Sequence, residues 1–332
     1  MSRDKNFSNN NEQALEAYLR PNKWDEYIGQ DKIKANLKLI IQASQKRQEA
    51  CDHILFYGPA GLGKTTLAYL VAKEMDMNIL SVSGPSVEKA GDIAAILTNI
   101  EPYSILFIDE IHRINKIVEE MLYPALEIRK LHLLVGKGPS ARTLSLDLPP
   151  FTLIGATTKI NLLSNPLRSR FGAIFQLNYY SLEDIEKILQ RSAKILGIDI
   201  NSDALEILAK ASRFTPRVAN RLLKRCRDFA QVNNFNVITK DVVVSTLKMF
   251  DIDELGLENA DRKLLEALIY KFNGGPVGLK SLAAALNEES GTIEDVYEPF
   301  LMTLGFINRT SKGRVATAKA YEYFKIKQKN LL

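Results

Sequence analysis

The chain has 332 residues, with 44 Lys or Arg against 39 Asp or Glu and a formal net charge of +5. Such a length suits two or three domains, and the mild net charge leaves the placement of cations more informative than their number. No apolar run approaches the roughly 20 residues that a membrane-spanning helix requires, and Met1-Ser2-Arg3-Asp4-Lys5 lacks a signal-peptide pattern, so a cytoplasmic protein with no membrane segment is expected. Cys51 and Cys226 lie far apart without C-x-x-C spacing, and there are three histidines, which argues against zinc and for a reducing compartment.

Residues 1–18 are polar and Asn-rich and read as a flexible arm. From 19 to 180 short apolar strands alternate with helical patterns, the signature of a parallel sheet covered by helices. Within it His53–Tyr57 reads as a buried strand, followed by Gly58-Pro59-Ala60-Gly61-Leu62-Gly63-Lys64-Thr65 and a helical pattern from Thr66 to Glu74. Strand, glycine loop and helix in that order make a phosphate-binding loop. Its backbone N–H groups and the helix N-terminus attract phosphate, Lys64 suits the β- and γ-phosphates, and the Thr65 hydroxyl suits Mg²⁺. The expected ligand is a nucleoside triphosphate, ATP or ADP.

The next apolar strand, Ile105–Ile108, ends in Asp109-Glu110. Asp109 is placed to hold the Mg²⁺ shell opposite Thr65, and Glu110 to polarise an attacking water. Residues 131–148 alternate around a Gly-Lys-Gly-Pro-Ser turn and predict a hairpin, either packed on its own domain or offering an apolar docking face. A third strand, Phe151–Ala156, ends at Thr157-Thr158, where a hydroxyl can face the γ-phosphate. Arg168 and Arg170 come next; taken alone they are either a solvated face or the source of an arginine finger.

From Ser181 to Asp251 no strand signal appears, and four helical patterns succeed one another: 181–196, 202–212, 216–232 and 239–250. Ser181 and Thr239 suit helix starts, and Pro216 a first turn. Arg217 sits at a helix N-terminus against the dipole, a cost that an anionic ligand offsets, so it is a candidate γ-phosphate sensor. Asp251–Gly256 reads as a linker. Beyond it, from 254 to 332, helices near 260–272, 279–287 and 292–304 precede a hairpin and a short helix, a winged-helix pattern. The helix pair is acidic, whereas the wing carries Arg309, Lys312 and Arg314, so the wing is the better nucleic-acid surface, with protein contact as the other reading. From Gly305 to Leu332 there are seven Lys or Arg against one acid.

Phosphate loop, Asp-Glu strand end, Thr158, Arg170 and Arg217 together resemble the AAA+ ATPases. The chain is similar, more narrowly, to the RuvB family of Holliday-junction branch-migration motors. The stretches that carry this are Leu19-Arg20-Pro21 with Tyr27-Ile28-Gly29-Gln30, Asp109-Glu110-Ile111-His112-Arg113, Gly136–Arg142, Asp147–Thr158 and Gly274–Leu279. The resemblance implies a P-loop ATPase domain over 19–180, a helical lid over 181–251 and a DNA-binding winged helix over 254–332. It implies that Leu19, Arg20 and Tyr180 approach adenine and ribose, and that Gly61, Lys64, Thr65 and Thr66 hold the phosphates. Thr158 becomes the first sensor, Arg170 acts in trans and Arg217 in cis, Glu127, Ile128 and Arg129 approach the nucleotide interface, and Arg309 and Arg314 contact DNA. It implies a homo-hexamer on double-stranded DNA, RuvA bound through the 131–148 hairpin, and the resolvase RuvC in a larger complex. Two other functions share the same nucleotide site: a clamp-loader-like AAA+ subunit, and an ATP-switched DNA-binding initiator with little turnover.

The sequence departs from the family pattern at several positions. Ala60 stands where a second proline is expected, Phe214 where a glycine usually precedes Thr-Pro-Arg, and Ser169 where an Asp is expected. Ile128-Arg129 replaces an Asp followed by an aromatic, and His132 replaces an Asp. These changes leave open whether Ile128, Arg129 and Phe214 alter nucleotide handling.

Overall fold

The computed structural model describes residues 17–135 and 142–326. The N-terminal arm up to residue 16, the hairpin turn 136–141 and the tail 327–332 lie outside the described residues. The chain forms two compact units, one of residues 1–188 with 215–217, the other of residues 189–214 with 218–332.

In the first unit the strands are β1 (Ile54–Tyr57), β2 (Ile79–Ser83), β3 (Ser104–Asp109), β4 (Lys130–Val135), β5 (Arg142–Asp147), β6 (Phe151–Thr157) and β7 (Ala173–Gln176). Five of them form a parallel sheet in the order β2-β3-β6-β1-β7. Parallel strands are covered on both faces, so they are written as unbroken apolar runs rather than alternating ones. Ser104–Ile108 and all seven residues of β6 are buried accordingly. Helices Asp31–Arg47, Lys64–Glu74, Ala90–Thr98 and Lys116–Ile128 supply the covering layers. Asn115 starts the last of these, its side-chain oxygen accepting from the Val118 N–H at 2.9 Å.

Register brings the strand ends together. Tyr57 lies opposite Thr157, Ile108 opposite Gly155, and the Gly58 N–H donates to the Thr157 carbonyl at 3.2 Å. The phosphate loop therefore leaves the sheet beside the ends of β6 and β3. Just before the amino-terminal end of β1 His53 is half-buried, accepting at Nδ1 from the Leu153 N–H (2.9 Å) with Nε2 3.2 Å from the Leu126 carbonyl. Burial lowers its pKa, which favours the neutral ring that donates from Nε2.

The inner part of the β4–β5 hairpin packs on its own domain. Leu131 and Leu148 are buried, and Leu133 and Leu146 pack on the core of the first unit. Leu144, opposite Leu133, is 48% exposed, so the apolar stripe continues out of the core along the hairpin.

The second unit contains helices Ser202–Lys210 and Lys240–Met249, the body of Pro216–Val232, and the winged-helix elements. Thr239 caps as expected, its hydroxyl facing the Val242 N–H. The absence of strands expected between 181 and 251 does not hold. Asp199–Ile200 (β8) and Val237–Ile238 (β9) form a short parallel pair. Two-residue strands are too short to leave a periodicity in the sequence.

The expected linker is a built turn. Asp253 accepts from the Leu255 and Leu257 N–H groups at 2.9 and 2.8 Å, and Arg213 Nε donates to the Gly256 carbonyl at 2.9 Å. Gly256 has φ +82, and a Cβ there would lie 2.5 Å from the Ala211 carbonyl oxygen. The winged helix comes after it: Asn259–Glu266 continued by a π-helical turn to Lys271, then Leu279–Leu286, then a run from Ser290 to Thr303. Strands β10 (Ile307–Thr310) and β11 (Gly313–Ala316) form the antiparallel wing, and helix Ala318–Tyr323 closes it.

Gly256→Ala combines a left-handed backbone with a backbone collision, so it should destabilise the second unit by about 1–3 kcal/mol. Thermal melting of the full chain checks this; an unchanged melting curve would mean the turn does not hold the unit together.

Candidate functional site

The candidate site is built from the carboxyl ends of β1, β3 and β6. After β1 the chain turns through Gly58 (φ +140), Gly61 (φ +79) and Gly63 (φ +95), backbone conformations open to glycine and strained for other residues. The turn ends at the N-terminus of helix Lys64–Glu74. Lys64 is 6% exposed, and its Nζ donates to the Gly58 and Pro59 carbonyls at 2.8 Å each. Burial pulls its pKa down to about 8, opposed by the nearby Glu110 and Asp109 carboxylates.

Beyond Lys64 the Thr65 hydroxyl donates to Asp109 Oδ2 at 3.4 Å. Burial, and then the charge of Glu110, raise the Asp109 carboxyl above its ordinary range. Glu110 Oε2 accepts from the Thr158 N–H (3.2 Å) and the Thr158 hydroxyl (3.0 Å), and it lies 3.2 Å from His112 Nδ1. His112 Nδ1 is also 2.9 Å from the Thr157 hydroxyl. One oxygen of Glu110 is thereby anchored to the end of β6. Its backbone has φ +48, and a Cβ on Gly84 would come within 2.3 Å of the Glu110 carbonyl oxygen, so the turn after β2 packs tightly against this one.

The flanks are also in place. The Tyr180 hydroxyl lies 3.1 Å from both the Leu62 carbonyl and the Tyr27 hydroxyl, with Leu19 buried and the Arg20 guanidinium 4.5 Å above the Tyr69 ring. Burial pushes the Tyr180 phenol up to about 12. Arg217 begins the helix Pro216–Val232 and joins the first unit at the loop, its N–H donating to the Gly61 carbonyl at 3.4 Å. Thr66 lies in the first turn of helix Lys64–Glu74.

These residues fit a nucleotide and a divalent cation. Three glycines shape the loop, a buried lysine stands behind it, and Thr65 and Asp109 supply the hard oxygen donors that Mg²⁺ takes.

Arg170 belongs to a different cluster. It donates to Glu127 Oε2 (2.7 Å), the Pro166 carbonyl (2.6 Å) and the Tyr123 carbonyl (3.3 Å), and its guanidinium lies 4.6 Å from the Tyr123 ring centroid. Glu127, Ile128 and Arg129 are all exposed on this face, Arg129 with φ +54 at the end of helix Lys116–Ile128.

On the wing, Arg309 is exposed and Arg314 is not. Arg314 is 9% exposed, and its guanidinium meets the fully buried Glu298 twice, Nε to Oε1 at 2.6 Å and Nη2 to Oε2 at 3.2 Å. Direct contact with DNA was expected of both arginines; in this structure the Arg314 guanidinium is occupied inside the domain.

Three family models match successive parts of the chain: the Holliday junction DNA helicase RuvB P-loop domain over residues 19–177, the RuvB AAA lid domain over 180–253, and the RuvB C-terminal winged helix domain over 254–325. The chain belongs to the RuvB family. The Thermotoga maritima RuvB Holliday junction branch migration motor is a similar solved structure, at 46% identity and a TM-score of 0.86, covering 93% of this chain and 99% of that one. The K64R and R170A forms of the same protein match over the same spans with TM-scores of 0.85 and 0.84. By family, the chain is an ATP-driven motor of Holliday-junction branch migration, a DNA-binding ATPase that acts in recombination and repair.

Set against the RuvB pattern, Phe214 stands out. It has φ +55, next to Arg213 at the same angle, where the usual glycine is free of strain. Phe214 offsets that cost by packing on the winged-helix core. Several partners were missed in the sequence. His112 and Thr157, which lie inside the quoted stretches, and Gly84 and Tyr123, which lie in none, hold Glu110 or Arg170 in place rather than acting on a ligand themselves.

A phosphate in the loop favours charged Lys64, so binding takes up a proton wherever the free amine is neutral. Affinity for ADP without metal should be flat below pH about 8 and then fall, approaching about tenfold per pH unit. Fluorescent-nucleotide titration from about pH 7 to about 9.5 checks this, and Lys64→Met should flatten the profile.

Proposed function

We propose that the chain works in the cytoplasm as one subunit of a homo-hexameric ring on double-stranded DNA, hydrolysing ATP to drive branch migration in partnership with RuvA. The observation that carries this is the anchoring of Glu110 by Thr158 beside Lys64, Thr65 and Asp109, a set of groups suited to hydrolysis rather than to nucleotide storage. Lys64 and Thr66 hold the phosphates with the loop N–H groups from Gly61 onward. Glu110 takes the proton of the attacking water, while Thr158 fixes the carboxylate and reports on the γ-phosphate. Thr65 and Asp109 would hold Mg²⁺, which when bound neutralises phosphate charge. Leu19, Arg20 and Tyr180 frame the base and ribose side, and Arg217 reads the nucleotide of its own subunit.

Arg170 is assigned to the neighbouring subunit's nucleotide. Its cluster with Glu127 is separate from the loop of its own chain, and Ile128 and Arg129 lie exposed beside it, as an intersubunit face requires. The outer part of the 131–148 hairpin, with Leu144 exposed, offers RuvA an apolar stripe, and RuvC joins the larger complex. Arg309 and Lys312 face DNA phosphates from the wing, with Arg314 holding the wing from inside through Glu298. Steady turnover on junction DNA separates this reading from a clamp-loader-like subunit or an initiator.

Glu110→Gln should bind ATP normally and lose turnover. Arg170→Ala should lower hydrolysis by about 10³-fold, and mixing it with Lys64→Ala subunits should restore part of the activity, since each defect lies in a different site. Strand displacement on a synthetic four-way junction should need ATP and rise with RuvA. Failure of every mixing ratio to complement would place Arg170 outside a neighbour's site, and a junction left intact would remove the motor assignment.

A further inference from the structure

The wing arginines sit in a cluster whose charges cancel. Arg309 pairs with Glu298 Oε2 at 2.5 Å and with Glu294 Oε1 at 3.3 Å, and Arg314 lies 3.9 Å from the same Glu294 oxygen while meeting Glu298 twice. Two guanidiniums thus face two carboxylates. The carboxylates differ in kind. Glu298 is fully buried, and a buried carboxylate cannot leave its cations without stranding charge in a low-dielectric interior. The Glu294 side chain is 45% exposed and, among the described residues, is held by the two longer pairs, so water can take its place at low cost.

Arg309, with a side chain 41% exposed, presents its Nη1 edge to Glu294 and its Nη2 to Glu298. A DNA phosphate approaching from solvent wants the same edge that Glu294 occupies, because a guanidinium offers paired donors to an oxyanion in one plane. It also meets Glu294 as a like charge. Resting on the reading of the wing as the DNA-facing surface, we propose that Glu294 is an internal stand-in for the DNA phosphate: it covers Arg309 in the free protein and is displaced when duplex binds, while Glu298 keeps Arg309 and Arg314 anchored throughout.

Displacement of an acid by a phosphate gives a signature that a merely structural cluster lacks. Removing Glu294 frees the binding edge, so affinity rises; loss of a structural contact would leave affinity unchanged or lower it. Glu294→Gln should tighten duplex binding by about two- to fivefold, the range of an exposed ion pair. Glu289→Gln removes an equal charge from an exposed position at the start of the same helical run, and should tighten binding by less, through long-range repulsion that added salt erases. In an Arg309→Ala background the extra gain from Glu294→Gln over Glu289→Gln should vanish, which a double-mutant cycle measures by fluorescence anisotropy on the full-length chain.

Arg309→Ala alone tests the underlying reading. It should weaken duplex binding for all sequences and lower the log–log salt slope by roughly one unit. An unchanged slope overturns the wing reading and this inference with it. A lowered slope for Arg309→Ala, together with equal gains for Glu294→Gln and Glu289→Gln, keeps the wing as the DNA surface and overturns the role given to Glu294.

Discussion

Strands β1, β3 and β6 are covered on both faces, and that constraint decides where chemistry can occur. A side chain along Ile105–Ile108 or Phe151–Ala156 points into one covering layer or the other, so polar groups emerge at the ends. The parallel arrangement puts those ends on one edge, and the register aligns Tyr57 with Thr157 and Ile108 with Gly155. The phosphate loop, the Asp109-Glu110 pair and Thr158 thus meet because the core requires it. Lys64 bears the electrostatic effect of that meeting. Brought into this partly dry corner its amine loses much of its basicity, and the neighbouring carboxylates keep that loss from going further.

Motifs whose chemistry depends on local geometry were legible in the sequence. A glycine loop between strand and helix, two acids at a strand end, and a proline in a first helical turn each carry their own backbone requirement. Contacts made by residues distant along the chain were not. His53 stitches β1 to Leu153 and Leu126, about 100 and 73 positions away, and nothing near it in sequence announces this. The β8–β9 pair is too short to leave a pattern, and it exists because neighbouring helices bring the two segments side by side. Arg314 illustrates a third limit. Its sequence context is a basic wing, and only the placement of Glu298 16 residues earlier turns it inward.

Departures from the family pattern also gain physical content. At Phe214 a bulky side chain occupies a left-handed backbone position, and apolar packing compensates for the strain that glycine would have avoided. Ile128 and Arg129 end a helix on an exposed face, where a changed side chain alters the surface without disturbing the core beneath.

Gly84 matters for what it cannot become. It contributes no side-chain donor, acceptor or charge, yet every other amino acid would place a carbon against the Glu110 carbonyl. Substitution there would shift the backbone that aims the carboxylate while leaving each ligand of the nucleotide untouched. A lineage drifting at position 84 could therefore fall silent with a full set of recognisable motifs, and a survey of those motifs would still count it as active.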